Sequence, residues 1–572
     1  MRQLKVLILC PAALIQNWCR EFAIWSPDNH NLGKVRAILG KYSTTGLDRC
    51  EEISAWNEEG GILLISYETF RNLTYARDED TKKQSINETV KSWLLESPNL
   101  VVADEAQVLR NHKTRIAQAT RCIRTKKRIA LSGTPLSNSL KDYYWMIDWI
   151  APGFLGTFTL FNEEYIMPIE NGFHIDCTRS DRREALQRVE VFLGLIKPKV
   201  DRADMSVLAA ELPPKYEFSV YFELTSFQKA AYNLLIEGIL QGKTENVSSN
   251  FLSWLSTVKL CCNHPALLKE SLEARAAQSE GGKRRSPSVS DYGLNSGFEV
   301  ASDEVELPQS TLSELDDLFS KVPDLLDPSL SSRVSMLNEI IYQAIAVGDK
   351  VLVFSSSIPT LKYLAQLMDR MGMKYSLLYG ALTPAERPEM IRQFKDDNTI
   401  HVFLVSTKAG GVGLNIHTAN RVVIFDFMFN PTCEEQAVGR AYRIGQTKPV
   451  FVYRLIPGGT FEERIYGNNV FKSQLAHRLL GDKHIARLGK KALDEYLVPW
   501  QESSHKGGIE EIAFTKDPEM MERLKSECAD SILNIKLCND ELDPDDNLTV
   551  EERKSVAEQL KLGRLRLTSK GF

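Results

Sequence analysis

No apolar run in the 572 residues reaches the length that a bilayer-spanning helix needs, so no membrane is expected among the partners. Cysteine is sparse: ten are scattered along the chain, and the adjacent pair Cys261-Cys262 has no second pair at zinc-finger spacing. That excludes a disulfide scaffold and points to a reducing compartment. Charge of one sign is also missing. A net charge of -5 gives no bulk attraction to nucleic acid, so any such surface must be a local basic patch. Hydrophobic content of 43% and charged content of 25% are those of an ordinary globular protein, and the length suggests about three or four domains. Arg2 and Lys5 precede an apolar stretch, as in a secretion signal. That stretch continues into "IQNWCREFAIW", where Leu14, Ile15, Trp18, Phe22 and Trp25 share one helical face. A strand, a break at Pro11 and an amphipathic helix fit better.

Short apolar runs then alternate with helical patterns, which predicts an α/β fold with parallel sheets. Residues 1–150 carry "KVLILC", "GILLIS", "NLVVAD" and "KRIALSG" as strands. Residues 151–270 read as mainly helical, with "YEFSVYFEL" (216–224) as a strand. Residues 271–330, rich in Ser, Gly and charge, read as a flexible linker. Residues 331–480 repeat the α/β pattern through "KVLVFSS", "KYSLLYG", "HVFLVST", "NRVVIFD" and "PVFVYRL". Residues 481–572 read as a charged, mostly helical extension.

Ligands of open α/β sheets bind at the carboxyl ends of strands, and four short motifs fall there. "VVADEAQVLRN" (101–111) ends a strand in Asp104 and Glu105. One carboxylate there can hold Mg²⁺ and its neighbour can orient or deprotonate a water, although two solvated acids are the plain alternative. "IALSGTPLSNSL" (129–140) places Ser132, Gly133 and Thr134 after the next strand. These could bond the acid pair, or be a common turn. "VSTKAGGVGLN" (405–415) offers Gly410, Gly411 and Gly413, whose backbone amides can nest an anion, or a simple glycine turn. "EEQAVGRAYRIGQTKPV" (434–450) spaces Gln436, Arg440 and Arg443 at i, i+4 and i+7, one helical face. Arginines so placed can reach a γ-phosphate, and a solvated basic face is the alternative. Four independent coincidences, split between two α/β halves, are improbable.

In this order the motifs resemble those of the SWI/SNF-type ATPases of helicase superfamily two. "VLILCPAALIQNWCREFAIWSP", "ILLISYETFR", "DEAQVLRN", "RIALSGTPLSNSLKDYYWMIDWIAPGFLG", "LCCNHPALL", "DKVLVFSSS", "STKAGGVGLNIHTANRVVIFD", "QAVGRAYRIGQTKPVFVYRL" and "GTFEERIY" carry the resemblance over about residues 1–480. "PIENG", "VDRADMSVLAAELPPKYEF" and "LTVEERKSVAEQL" point to its ATRX-like subgroup. The resemblance implies two RecA-like lobes, ATP and Mg²⁺ as cofactors, and duplex DNA, nucleosomes or chromatin proteins as partners in the nucleus. It implies Asp104 as the magnesium ligand, with Glu105, Arg440 and Arg443 catalytic. Gln436, Gly411 and Gly413 would bind nucleotide, and Ser132, Gly133 and Thr134 would couple the sites. Asn17, Trp18, Arg71, Lys408 and Asn430 would contact DNA. The sequence departs from the family at Ala106-Gln107, where Gly-His is usual, at Phe429 for Trp and at Tyr442 for His.

The family's phosphate-cradling loop, Gly-x-x-x-x-Gly-Lys-Ser/Thr, should precede "VLILCP", and none is found. "GILQGKT" (238–244) has three residues between its glycines, not four, and follows an amphipathic helix with no strand, so Gly242 reads as a helix C-cap. Negligible ATP hydrolysis by this polypeptide alone, and a marginally stable first lobe, are therefore expected. The alternative is a catalytically dead DNA- or chromatin-binding protein that keeps the two-lobe fold. An in-frame glycine-rich segment upstream of Met1 would favour the enzyme.

Overall fold

Strand β1 (Lys5–Cys10) shows why the first sheet forms. Leu7 and Leu9 point to one face, where they meet Trp56, Phe70 and Leu94, while Ile8 and Cys10 point to the other and meet Ile15. A strand buried on both faces reads as a continuous apolar run and belongs in a parallel sheet covered by helices. The computed structural model describes residues 4–26, 32–39, 42–43, 48–75, 81–133, 139–173, 177–203, 208, 211–241, 247–280, 307–380, 386–407, 415–479, 496–538 and 548–569. The chain forms two units, the first from residues 1–201, 472–487 and 542–572 and the second from 202–471 and 488–541.

In the first unit β1 is joined by β2 (Val35–Leu39), β3 (Tyr42–Ser43), β4 (Gly61–Ser66), β5 (Leu100–Ala103) and β6 (Arg128–Ala130), in the order β3-β2-β4-β1-β5-β6. All pairs are parallel except β2 with β3. The chain breaks at Pro11 and enters the helix Ile15–Trp25, as the sequence suggests. The unit ends in helices, of which Arg179–Ile196 starts at a capping box formed by Thr178 and Asp181. The helix Val550–Ser569 packs on it. Arg183 Nε donates to Glu552 at 2.7 Å, and Gly194 lies so close to Leu560 that a Cβ there would sit 2.5 Å from a Leu560 methyl.

The second unit is built on β7 (Lys215–Phe222), β8 (Val351–Ser355), β9 (Tyr375–Leu378), β10 (Val402–Ser406), β11 (Arg421–Ile424), β12 (Val450–Pro457), β13 (Gly508–Ile509) and β14 (Ile532–Leu537). The order is β13-β14-β7-β12-β11-β8-β10-β9, parallel throughout except for β14 against β7. The chain is thus α/β, with two parallel-sheet lobes. Three features differ from the sequence reading. Residues 271–330, read as a flexible linker, contain the end of the helix Pro265–Glu280 and the helix Gln309–Ser320, whose Leu315 and Phe319 are buried in the second core. The strand within the helical middle, β7, pairs with β12 over eight residues and so belongs to the second sheet. The charged tail is not merely a helical extension. In "ILNIKL" Ile535 is fully buried on a strand between β13 and β7, and Asp517 closes an ion pair with Arg421 at 2.8 Å. High charge hid this short strand among helices. Gly242 lies outside the described residues, and the helix before it, Ser226–Gln241, is as expected.

Candidate active site

The acid pair follows β5 directly. Asp104 N–H donates to Leu9 C=O at 2.8 Å, so the residue is still tied to β1 as the strand ends. Glu105 then turns the chain with φ 50°, the only left-handed non-glycine residue among those described. An L side chain there costs about 1–2 kcal/mol, and such strain gathers at functional sites. The turn feeds a short 3-10 helix, Ala106–Leu109, whose Ala106 and Leu109 are buried. Ala106 N–H reaches across to Leu131 C=O at 2.9 Å. The strand ends of β5 and β6 are thereby pinned together.

Asp104 is held at four atoms. Besides its own N–H, its C=O accepts from the Tyr67 hydroxyl at 2.8 Å, Oδ1 accepts from Glu105 N–H at 2.9 Å, and Oδ2 accepts from the Trp18 indole N–H at 2.8 Å. Burial, reinforced by the Asp104 charge, pushes the Tyr67 hydroxyl well up, so it remains a donor. Cys10, at the end of β1, is pushed up to about 12 by burial, with Asp104 adding to the effect. It is a thiol at neutral pH and no competing thiolate ligand.

A second chain of bonds starts at Glu105. Gln107 Nε2 donates to Glu105 Oε2 at 2.5 Å, and Gln107 Oε1 accepts from Ser132 Oγ at 2.8 Å. Ser132 is thus brought to the acid pair, as its position after β6 suggests, but through Gln107. Sequence reasoning registered Gln107 only as a departure from the usual His. The signal was there: a side chain with both donor and acceptor is what bridges a carboxylate to a hydroxyl. Gly133 is exposed beyond Ser132, and Thr134 lies outside the described residues. Asn17 is exposed on the helix after β1, and Arg71, on the helix Tyr67–Thr74 after β4, donates to Asn72 at 2.9 Å.

In the second unit Lys408, Gly410, Gly411 and Gly413 lie outside the described residues. Asn430 follows β11, and its Oδ1 accepts from Thr432 N–H at 3.2 Å where the next helix, Thr432–Ala441, begins. Gln436 and Arg440 lie on this helix. Arg443 does not: Tyr442 leaves helical geometry at φ -91°, ψ 85°, so the helix stops at Ala441 and the expected single face ends two residues short of Arg443. The buried Gln446 explains the break. Its Nε2 donates to Ala441 C=O at 3.3 Å and Ala419 C=O at 2.9 Å, closing the helix end and turning the chain toward β12. Arg440 C=O also accepts from Ile416 N–H at 3.1 Å.

The loop before this helix is held from three sides. Lys259, buried on the helix Val247–Asn263, donates to Phe427 C=O at 2.5 Å and Ser356 Oγ at 3.1 Å, and lies 3.9 Å from Asp426. Asn469 donates to Met428 C=O at 2.7 Å, and Glu434 accepts from Met428 N–H at 3.4 Å. Asp426 also accepts from Ser356 N–H at 2.9 Å. Lys259, just before the "LCCNHP" segment, therefore anchors the base of the helix that carries Arg440.

Residues 2–267 match the SNF2-related domain, and residues 332–445 match the helicase conserved C-terminal domain. Protein CHROMATIN REMODELING 20 of Arabidopsis thaliana is 32% identical over 87% of this chain and 35% of its own length. The transcriptional regulator ATRX homolog of Drosophila melanogaster is 29% identical over 84% of this chain and 43% of its own length. The chain thus spans less than half of either relative. A solved Sulfolobus solfataricus SWI2/SNF2 ATPase core in complex with dsDNA is 25% identical, covers 84% of this chain and 83% of its own, and has a TM-score of 0.33. With both domain matches in order, the chain belongs to the SWI/SNF-type ATPases of helicase superfamily two, alongside ATRX-like relatives.

Proposed function

We propose that the chain is the motor portion of a nuclear, ATRX-like chromatin remodeller that uses ATP to move on duplex DNA. The observation that carries this is the acid pair held at the end of β5, with Asp104 fixed at four atoms and Glu105 wired through Gln107 to Ser132. The donor chemistry suits Mg²⁺. Each Asp104 carboxylate oxygen accepts one N–H and keeps a lone pair, and one carboxylate suffices when phosphates supply further oxygens. Bound there, the ion would neutralise charge on the phosphates. Glu105 takes a proton from water as the water oxygen attacks the γ-phosphorus and ADP leaves. Arg440 and Arg443 stabilise the transferring phosphoryl group, while Gln436, Gly411 and Gly413 hold the nucleotide. Ser132, Gly133 and Thr134 pass the state of the acid pair onward. Asn17, Arg71, Lys408 and Asn430, with the segment around Trp18, face duplex DNA phosphates, which give affinity without sequence information. Nucleosomes or chromatin proteins are the partners.

The sequence holds no loop of the kind that cradles β- and γ-phosphates, so negligible turnover is expected of this polypeptide alone. The test compares this chain with one preceded by the phosphate-loop strand and helix of a relative. DNA-stimulated hydrolysis is expected only in the longer chain. It should fall by roughly 10²–10⁴ in Glu105→Gln and by about 10³–10⁵ in Arg440→Ala. Salt-sensitive DNA binding with no turnover in the longer chain would replace the motor by a binding protein. Rapid turnover by the present chain would refute the need for the loop.

A further inference from the structure

Trp18 falls in the segment that sequence reasoning assigns to DNA, yet its indole N–H donates to Asp104 Oδ2 at 2.8 Å. Trp18 is only half-buried, so water could satisfy that N–H at little cost. It is given instead to a carboxylate, a charge-assisted bond about twice as strong as a neutral one. The ring is held for this purpose. It packs on the face formed by Ile8, Cys10 and Ile15, and lies 5.7 Å from the Phe22 ring on the same helix. Asn17, its neighbour, is exposed on the outer side. Two consecutive residues therefore join the outward face of the helix after β1 to the acid at the end of β5.

We propose that Trp18 is a positioning residue for Asp104, fixing one carboxylate oxygen while Glu105 N–H fixes the other. With Oδ1 and Oδ2 each taken once, the carboxylate plane is set and one lone pair on each oxygen is directed. Groups that orient a metal-binding side chain in this way are worth roughly 10–100-fold in metal affinity. The inference rests on Asp104 being the magnesium carboxylate. It adds that the helix carrying Asn17 cannot shift without moving that carboxylate, so a ligand on the outer face and a metal on the inner face are felt through one bond.

The test uses the whole chain labelled with ¹⁵N at its eight tryptophan indoles, and Mn²⁺ in the presence of ADP, whose phosphates supply the further oxygens, as the metal probe. The Trp18 signal is the one missing in Trp18→Phe. It is expected to move in Asp104→Asn and to be the first broadened by Mn²⁺. Trp18→Phe keeps an aromatic ring and is expected to weaken Mn²⁺ binding by roughly 10–100-fold, while the other indole signals stay in place. If those signals collapse, the benzothienyl isostere of tryptophan at position 18 keeps the bicyclic shape and removes only the N–H, and the same loss is expected. Unchanged Mn²⁺ affinity in the isostere, with affinity lost in Asp104→Asn, overturns the inference and leaves the metal assignment standing. Equal Mn²⁺ binding by the native chain and Asp104→Asn overturns both.

Discussion

Glu434 sits on the first turn of the arginine-bearing helix, and almost no water reaches it: 4% of the residue is exposed. Burial, opposed by the Arg454 charge, raises its carboxyl to about 8 from 4.5. The folded chain therefore holds a proton there that the unfolded chain releases near pH 4.5. Between these values the folded state binds more protons, so stability falls as pH rises from about 4.5 to about 8. Glu434→Gln, which cannot ionise, is expected to flatten this slope, raising the denaturant midpoint at pH 8 more than at pH 5. Equal midpoint changes at both pH values would show Glu434 ionised throughout. Glu217 behaves oppositely. Burial pushes it up, but Arg454 and Lys215 outweigh this and hold it at about 2, so it remains an anion against Arg454 at 2.6 Å. One guanidinium thus faces a charged carboxylate and a largely protonated one.

Among elements, the helix Val247–Asn263 holds the loop before the helix that carries Arg440, through Lys259. Lys259→Met removes a buried ammonium beside Asp426 and is expected to cost about 3–5 kcal/mol. Adding Asp426→Leu should recover part of that loss, and chemical denaturation of the double-mutant cycle measures it. Additive losses would mean the pair is uncoupled. This element also marks the limit of sequence reading. The strands β1, β4, β5, β8, β10 and β12 were legible because each is a mainly apolar, largely or half-buried run ended by a turn. Asp104, Glu105 and Ser132 were legible as strand-end residues. Gln107, Lys259 and Asn469 were not, because a polar residue within a helical or turn pattern looks solvated until its partner, distant in sequence, is known. Arg443 was misplaced for a related reason: helical spacing was extended past a stop made by the side chain of Gln446.

At the scale of the molecule, segments near both ends of the sequence build the first unit. The helix Val550–Ser569 packs on Arg179–Ile196 through Gly194 and Gly563, where a Cβ would meet Leu560 and Leu195 at 2.5 and 2.7 Å. Gly194→Leu forces these helices apart and is expected to cost about 1–3 kcal/mol. Faster protease cleavage after 541, with the 202–471 region equally protected, would be its signature. Unchanged cleavage would show the seam to be slack.

This chain path also sets how tension would travel. A force applied between β1 and the helix Val550–Ser569 enters and leaves through the first unit. The second unit, inserted between its segments, is shielded until the Gly194–Leu560 seam gives way. Pulled in this way, the chain would respond first by the peeling of one helix, with the second unit still folded.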